Sequence, residues 1–202
     1  MALDARVVLH DPALAPAQLP RPAIRPYPIQ YMWPWQLKDG VPVVIRPIRP
    51  EDEPLMVKFH ETLSETSVYM RYFHVMQLSQ RIAHERLTRI CFIDYDREMA
   101  LVVDRADPQG GEHRILAVGR LSRIHGTNDA EFAILVSDPW QGHGLGTELL
   151  RRLIEIGRTE GNSRITADIL EENIAMQKVS RKLGFKLKRA MGDPSLKATL
   201  EL

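Results

Sequence analysis

Three apolar runs of strand length stand close together in the middle of the chain, and the links between them are short. They are MALVV (99–103), HRILAVGRLSRI (113–124) and DAEFAILV (129–136). The links, DRADPQGGE and HGTND, carry the Gly, Asp and Asn residues typical of turns. Because a parallel connection needs a crossover of about a dozen residues or more, these strands are predicted to pair antiparallel.

The patterns on either side predict a mixed α/β fold. Upstream, VPVVIRPI is a strand, and helical spacing follows over about residues 49–64, 65–76 and 80–91. Downstream, the turn QGHGLGT leads into a leucine-rich helix that ends at Gly161, and ITADIL is the next strand. A last helix from Asn173 to Leu183, capped by Gly184, precedes a final strand from Phe185. We therefore predict a mostly antiparallel sheet with one parallel β-α-β crossover and helices on both faces.

Charge and cysteine content exclude several classes of protein. The 27 Lys and Arg residues nearly balance the 26 Asp and Glu residues, which argues against a nucleic-acid or membrane-surface partner. The single cysteine, Cys91, has no Cys or His cluster around it, so we expect no metal site and a reducing compartment. Asp4 and Arg6 interrupt any signal-peptide core. The chain is expected to be a soluble cytoplasmic protein.

Proline separates the start of the chain from the rest. Eleven of the 14 prolines lie between Pro12 and Pro54. Proline fixes φ and lacks an N–H, so about residues 10–40 are predicted to form an extended arm. We therefore expect an arm over residues 1–42 and a domain over residues 43–202. The aromatic side chains of Tyr31, Trp33 and Trp35 are expected to pack the arm onto the domain.

The turn QGHGLGT (141–147) joins a strand to a helix and leaves backbone amides uncovered by side chains, an arrangement suited to phosphate. A P-loop would require a lysine after its last glycine, and none follows Gly146. A Rossmann loop would require GxGxxG spacing and several parallel units, whereas Thr147 stands at the third glycine position and the upstream strands form a meander. Both interpretations are therefore disfavoured.

The same residues match the signature Q/R-x-x-G-x-G/A of the GNAT N-acetyltransferases, and the order of elements from about Val43 onwards resembles that fold. The resemblance implies that the loop and the helix N-terminus bind the pyrophosphate of acetyl-CoA as cosubstrate. Thr147 in the first helical turn and Gln141 at the loop entrance would complete the site, and His143 would offer its backbone amide. The residues so implied in the loop are Gln141, Gly142, His143, Gly144, Leu145, Gly146 and Thr147.

The resemblance also implies where acyl transfer occurs. The strand before the loop and ITADIL would diverge, so that the thioester arm lies against the backbone of Leu135 and Val136, one of whose amides stabilises the oxyanion. Asn173, at the start of the last helix, resembles a residue that contacts the cofactor arm, and it is also suited to be an N-cap. Many GNAT enzymes carry a tyrosine as general acid seven residues later. Here that position is Ser180, which leaves the acid undetermined.

Glu131 is the acid within the apolar run DAEFAILV, and we predict that it is the general base that deprotonates the acceptor amine. Its apolar neighbours are expected to bury it and so to increase its affinity for a proton. A glutamate at the end of a strand, facing solvent or paired with Arg120 or Arg123, is the alternative.

The N-terminal residues point to a type of acetyltransferase. ALDARVVL resembles the end of the ATP-grasp region of NDP-forming acyl-CoA synthetases, and the segment from Tyr27 to Met56 resembles its join to a GNAT domain. This arrangement is similar to that of the two-part bacterial protein-lysine acetyltransferases, which modify a lysine of acyl-CoA synthetases. It implies that the chain is the catalytic end of such an enzyme, either as an expressed fragment or as the product of a gene that has lost its first part. A lysine of the partner protein is expected to attack directly in a ternary complex, because no nucleophile is placed to form an acetyl-enzyme. Acetylation of a small amine and non-catalytic acyl-CoA sensing are the alternatives.

Overall fold

The computed structural model describes residues 9–15, 25–107, 111–189 and 194–202. Most of the synthetase-like segment ALDARVVL (2–9) and the proline-rich stretch 16–24 lie outside the described residues, as does the middle of the DRADPQGGE link. None of the helices in the described ranges is long and apolar enough to cross a membrane.

Strands and helices alternate along the described chain largely as the sequence predicts. The strands are β1 (Trp33–Gln36), β2 (Pro42–Pro47), β3 (Glu98–Ala106), β4 (His113–Arg123), β5 (Asp129–Val136), β6 (Arg164–Leu170), β7 (Lys186–Arg189) and β8 (Ser195–Glu201). The helices are α1 (Glu53–Glu61), α2 (Glu65–Tyr72), α3 (Leu78–Arg81), α4 (His84–Cys91), α5 (Leu145–Thr159) and α6 (Ile174–Lys182). Short 3₁₀ turns lie at Ile29–Tyr31, Pro50–Asp52 and Asp138–Trp140.

The strands form one sheet in the order β1-β2-β3-β4-β5-β6-β8-β7. The β3-β4-β5 meander is antiparallel, as its short links require. β5 and β6 run parallel, joined by α5 as the crossover. The predicted fold class, a mixed and mostly antiparallel sheet with one β-α-β unit, is therefore confirmed.

Helices cover both faces of the sheet because successive side chains of a strand point to opposite sides. On β5, Phe132 and Ile134 belong to the core under α5 and α6, whereas Leu135 belongs to the core under α1, α2 and α4. The apolar stripe of α5, which includes Leu149 and Leu153, is fully buried on the first of these faces.

The arm is attached to the domain through its last part. β1 pairs antiparallel with β2, so Trp33 and Trp35 lie at the edge of the sheet and pack against the core. Tyr31 is buried, and its hydroxyl donates to a carboxylate oxygen of Glu160 at 2.6 Å. Arg25 donates to the same carboxylate through both terminal nitrogens, at 2.6 and 2.8 Å.

A buried ion network fixes the start of α1 to the sheet. The guanidinium of Arg46, on β2, donates twice to Asp52 at 2.7 Å and once to Asp104 at 3.0 Å. All three side chains are nearly inaccessible to solvent. Asp52 also accepts from the backbone amide of Arg49, which ties the turn before α1 to the same network.

Three segments differ from the sequence prediction. α2 ends at Tyr72 because Phe73 takes a left-handed conformation with φ of 63°, so the predicted extension to residue 76 is wrong. The helix predicted over 80–91 is two short helices separated at Ile82 and Ala83. The single final strand is two strands, β7 and β8, which pair antiparallel.

Candidate active site

The parallel strands β5 and β6 separate soon after they begin. Their pairing covers only Asp129–Glu131 against Arg164–Thr166, although β5 continues to Val136. The rest of β5 therefore has a backbone edge that faces an opening instead of β6. This is the divergence implied by the sequence resemblance.

The hydrogen bonds at the end of β5 show which backbone groups face the opening. The Ser137 amide donates to the carbonyl of Leu116 on β4 at 2.9 Å, whereas the Val136 carbonyl accepts from the Gln141 side chain at 3.4 Å. Because consecutive residues of a strand direct their N–H and C=O groups to opposite sides, Val136 faces the opening and Leu135 faces β4. The sequence alone left the choice between these two amides open.

The glycine turn after β5 is held open by backbone conformation. Gly142 and Gly144 have φ values of 80° and 92°, in the left-handed region that other L-residues avoid. α5 begins immediately afterwards with Gly144 as its N-cap and without a side-chain cap. The amides from Gly142 to Thr147 donate to no backbone or side-chain acceptor in the part of the chain that the structure describes.

These amides open into a cleft of about 410 Å³ between α2, β5, α5 and α6. One wall carries Leu135 and Val136, and the floor is the turn from Gln141 to Thr147. The opposite wall is contributed by Thr66, Ser67, Met70 and Arg71 on α2, and the far end by Asn173, Ala175, Met176 and Val179. Of the residues that the sequence predicts to bind the cofactor, only His143 does not line the cleft. Its ring packs beside Trp140, and its Nδ1 lies 3.0 Å from the Gln141 carbonyl.

Gln141 connects the turn to α2. Its side-chain amide donates to the Ser67 hydroxyl at 3.0 Å and to Asp138 at 3.3 Å. The residue thus lies at the loop entrance, as predicted, and it also bridges the mouth of the cleft.

Lys38 and Trp35 reach the glycine turn from β1 and the turn that follows it, a part of the chain that the sequence predicts to belong to the arm. A Cβ on Gly144 would lie 3.6 Å from Lys38 Cε and 3.9 Å from Trp35 Cη2. Lys38 lines the cleft and brings an ammonium group to the same end as the free amides. Nothing in the local sequence links this lysine to a loop more than a hundred positions later, and only the pairing of β1 with β2 places it there.

Asn173 and Ser180 occupy different surroundings. Asn173 is the N-cap of α6, and its Oδ1 accepts from the Met176 amide at 3.0 Å while the residue lines the cleft. Ser180 is fully buried, its hydroxyl has no hydrogen-bond partner among the described residues, and it does not line the cleft. We therefore assign Ser180 no part in the chemistry below.

Glu131 is exposed, so the expectation that its neighbours bury it is wrong. It lies opposite Ser122 on β4 and beside Thr166 on β6, near the start of β5. By strand alternation it shares a face with Ala133 and Leu135, the face covered by α2. The alternative of a glutamate that faces solvent is therefore what the structure shows. Pairing of Glu131 with Arg120 or Arg123 is not found among the described residues, because these arginines pair with Glu98 and Glu160.

The described chain offers no obvious metal site or acyl-accepting thiol. No group of three or more His, Cys, Asp or Glu side chains within the described ranges is arranged to hold a metal ion. Cys91, the last residue of α4, is buried, and burial raises the pKa of its thiol to about 12. Such a thiol is protonated at neutral pH and is a poor nucleophile.

Comparison with known proteins identifies the family. A family model described as an acetyltransferase (GNAT) domain matches residues 43–186, which is more than half of the chain. The chain belongs to the GNAT acetyltransferases.

This GNAT acetyltransferase has relatives over most of its length. It is 30% identical over 153 residues to an acetyltransferase of Pseudomonas aeruginosa, which covers 76% of this chain and 80% of that protein. It is 28% identical over 152 residues to acetyltransferase Pat of Mycolicibacterium smegmatis, covering 75% of this chain but 43% of Pat, so it spans less than half of that relative. The crystal structure of the GNAT domain of S. lividans PAT superimposes with a TM-score of 0.76 at 29% identity, covering 87% of this chain and 99% of that one. The chain is thus an N-acetyltransferase.

Proposed function

We propose that this enzyme transfers an acetyl group from acetyl-CoA to a lysine of a partner protein, by direct attack of the amine in a ternary complex. The expected acceptor is an AMP-forming acyl-CoA synthetase. The observation that carries the proposal is the row of unpaired amides from Gly142 to Thr147, which opens into a cleft beside the free edge of β5.

The cleft suits acetyl-CoA in charge and in shape. Unpaired amides and the positive end of the α5 dipole attract a dianion such as a pyrophosphate. The ammonium group of Lys38 adds positive charge at the same end. The free edge of β5 offers hydrogen bonds to the amide-containing pantetheine arm in the manner of an added strand. When bound, the cosubstrate supplies an activated thioester whose thiolate is a competent leaving group.

The chain itself contributes an oxyanion donor and a proton acceptor. The Val136 amide faces the opening, so it is the donor placed to stabilise negative charge on the thioester oxygen during attack. Glu131 lies on the α2 side of the same strand and is exposed. We propose that Glu131 removes the proton from the acceptor ammonium. Because Glu131 is exposed, the proton is expected to reach it through a water molecule rather than by direct contact.

Direct attack is preferred to an acetyl-enzyme intermediate. The one thiol of the sequence, Cys91, lines neither the cleft nor the smaller pocket beside it. Since burial also keeps it protonated, it is not suited to accept the acetyl group first.

The choice of a protein lysine rests on sequence likeness. The segment from Tyr27 to Met56 resembles the join between a synthetase-like region and a GNAT domain. Two of the similar proteins bear the names Pat and PAT. Both likenesses favour the protein-lysine class over small amines.

The test is an acetylation assay read by intact-protein mass spectrometry. The protein, acetyl-CoA and an AMP-forming acyl-CoA synthetase are incubated together, with Glu131→Gln in parallel and the exposed Glu61→Gln as the matched control. We expect the synthetase to gain the mass of one acetyl group with the wild type and with Glu61→Gln, and much more slowly with Glu131→Gln. Acetyl-CoA binding without any gain of mass would refute the protein acceptor, and turnover of free amines would then favour the small-molecule alternative.

A further inference from the structure

A second cavity of about 220 Å³ lies on the other side of β5, under α1, α2 and α4. Arg71 and Leu135 line both this cavity and the cosubstrate cleft, so the two meet at the end of β5. We call this cavity the arginine pocket. The charged and polar side chains that line it are those of His60, Arg71, Tyr72, Arg86, Arg89, Glu98 and Arg120.

The arginine pocket carries positive charge that the protein does not neutralise. Glu98 is the carboxylate among its lining residues, and it already pairs with Arg120 at 2.6 Å. Arg71, Arg86 and Arg89 form no ion pair with any carboxylate in the ranges that the structure describes. By contrast, Arg46 and Arg25, elsewhere in the fold, are each paired with a carboxylate.

Two of the unpaired arginines are fixed in position by an aromatic ring. The guanidinium carbons of Arg71 and Arg86 lie 5.0 and 5.1 Å from the centroid of the Tyr72 ring. Stacking of this kind orients a guanidinium and leaves its N–H groups free to donate. Burial also lowers the pKa of Arg71, and the charges of Arg120 and Arg86 act in the same direction. Tyr72 and the carboxylate of Glu131 act in the opposite direction without offsetting the effect of burial.

His60 adds a buried polar ring without hydrogen-bond partners in the part of the chain that the structure describes. Its side chain is 1% exposed, and neither ring nitrogen has a hydrogen-bond partner among the described residues. The Nε of Arg86 is likewise buried and unpartnered. Burial, with Arg81 and Arg86 nearby, lowers the pKa of His60 to about 4, so at neutral pH the ring is uncharged and still donates through one nitrogen. Buried polar groups are normally satisfied, and several unsatisfied donors around one cavity indicate a missing acceptor.

We propose that the arginine pocket binds an oxyanion, a carboxylate or a phosphate, that the acetyl acceptor carries near its amine. Planar guanidinium groups match such oxyanions, and charge-assisted hydrogen bonds to them are the strong ones. The inference that this pocket binds an anion depends only on the pocket itself. The inference that the acetyl acceptor carries this anion rests on the proposed function. A cationic pocket also disfavours the ammonium form of a nearby amine, which helps to present the acceptor as a free nucleophile.

The direct test follows the imidazole of His60 by NMR at neutral pH, assigned with His60→Gln. Sodium phosphate and sodium acetate are titrated against sodium chloride at matched ionic strength. We expect a saturable shift of the His60 signals with phosphate or acetate but not with chloride. The apparent affinity should fall about tenfold or more in Arg86→Gln and in Arg89→Gln, as for the loss of a charge-assisted hydrogen bond.

The exposed Arg158→Gln on α5 is the matched control, because it removes the same charge away from the pocket. It should leave the shift unchanged. No saturable shift with either anion, or an equal response in Arg86→Gln and Arg158→Gln, would overturn the proposal. Since this readout needs no acetyl transfer, it is independent of the outcome of the acetylation assay.

A kinetic experiment tests whether the acetyl acceptor carries the anion. Lysine peptides with a neighbouring glutamate, phosphoserine or glutamine are compared as acceptors. The wild type should prefer one of the anionic peptides in kcat/KM, and this preference should disappear in Arg86→Gln while Arg158→Gln keeps it. Equal use of all three peptides by the wild type would refute the placement of the anion on the acceptor, even where acetylation itself is confirmed.

Discussion

The glycine turn before α5 makes a sharp prediction about Gly144. An alanine there must keep φ near 92°, which costs an L-residue about 1–2 kcal/mol. The new Cβ would meet Lys38 Cε at 3.6 Å and Trp35 Cη2 at 3.9 Å, which are ordinary contacts, so the strain is that of the backbone alone. Alanine recovers about 0.4–1 kcal/mol because its unfolded chain has less entropy than that of glycine. The net loss expected for Gly144→Ala is therefore about 1 kcal/mol.

Gly146→Ala is the matched control. Gly146 lies in the first turn of α5 without a positive φ, and a Cβ there would find only Val136 Cγ2, at 4.0 Å. Alanine is favoured over glycine inside a helix by up to about 1 kcal/mol. Gly146→Ala should therefore be as stable as the wild type or more stable.

Urea unfolding followed by circular dichroism gives both free energies, and calorimetry gives the affinity for acetyl-CoA. We expect Gly144→Ala to be about 1 kcal/mol less stable in urea, which corresponds to a midpoint of thermal unfolding about 2–4 °C lower for a domain of this size. It should also bind acetyl-CoA more weakly, because relaxation of the strain moves the amides. Equal stability and equal affinity in the two variants would refute the argument that the acetyl-CoA site depends on the left-handed backbone of Gly144.

Four further predictions follow from other parts of the structure. Glu131→Gln should lower kcat about 10²–10⁴-fold, as loss of a general base does; a kcat as high as that of Glu61→Gln would contradict the assignment. Arg46→Met removes the guanidinium that pairs with two buried carboxylates, Asp52 and Asp104, although Asp104 keeps its contact with His113 at 2.8 Å. The variant should cost about 3–5 kcal/mol in urea unfolding, unlike a surface arginine variant. The folded-state pKa of His60, about 4, lies below its ordinary value of 6.5, so its contribution to stability is present above pH 6.5 and is lost as the pH falls towards 4. Relative to His60→Leu, the wild type should lose up to about 1.4 kcal/mol per pH unit in that window, and parallel pH curves would contradict the burial of a neutral ring. Asn173→Ala should lose about 1 kcal/mol of helix-cap energy that Asn173→Asp retains, and acetyl-CoA affinity measured in both separates the cap from a cofactor contact.

The sequence predicts those parts of the fold that depend on local pattern. Short polar links force the β3-β4-β5 meander, and the glycine turn followed by a leucine stripe places α5 after β5. Asn173 can be predicted as a helix start because its side chain accepts a hydrogen bond from an amide three residues later, that of Met176. These features require only neighbours in sequence.

Features that depend on tertiary contact could not be predicted in the same way. The prolines predicted an extended arm over about residues 10–40, and its last part contains β1. This strand lies at the edge of the sheet, where Pro34 is tolerated because an outward-facing N–H needs no partner. Glu131 has apolar neighbours in sequence, Ala130 and Phe132, but strand alternation directs their side chains to the opposite face, and Glu131 itself is exposed. The residues of the arginine pocket come from helices and strands that are far apart in the chain, so no single sequence motif predicts the pocket.

The most direct test of the account is amide hydrogen exchange with and without acetyl-CoA. The amides from Gly142 to Thr147 have no acceptor among the described residues, so they should exchange rapidly in the free protein. Acetyl-CoA should slow them strongly, together with the amide of Val136, while the amides of α4, which lines the arginine pocket, should change little. Binding of acetyl-CoA that leaves the exchange of these amides unchanged would contradict the central claim that this turn and the open edge of β5 hold the cosubstrate.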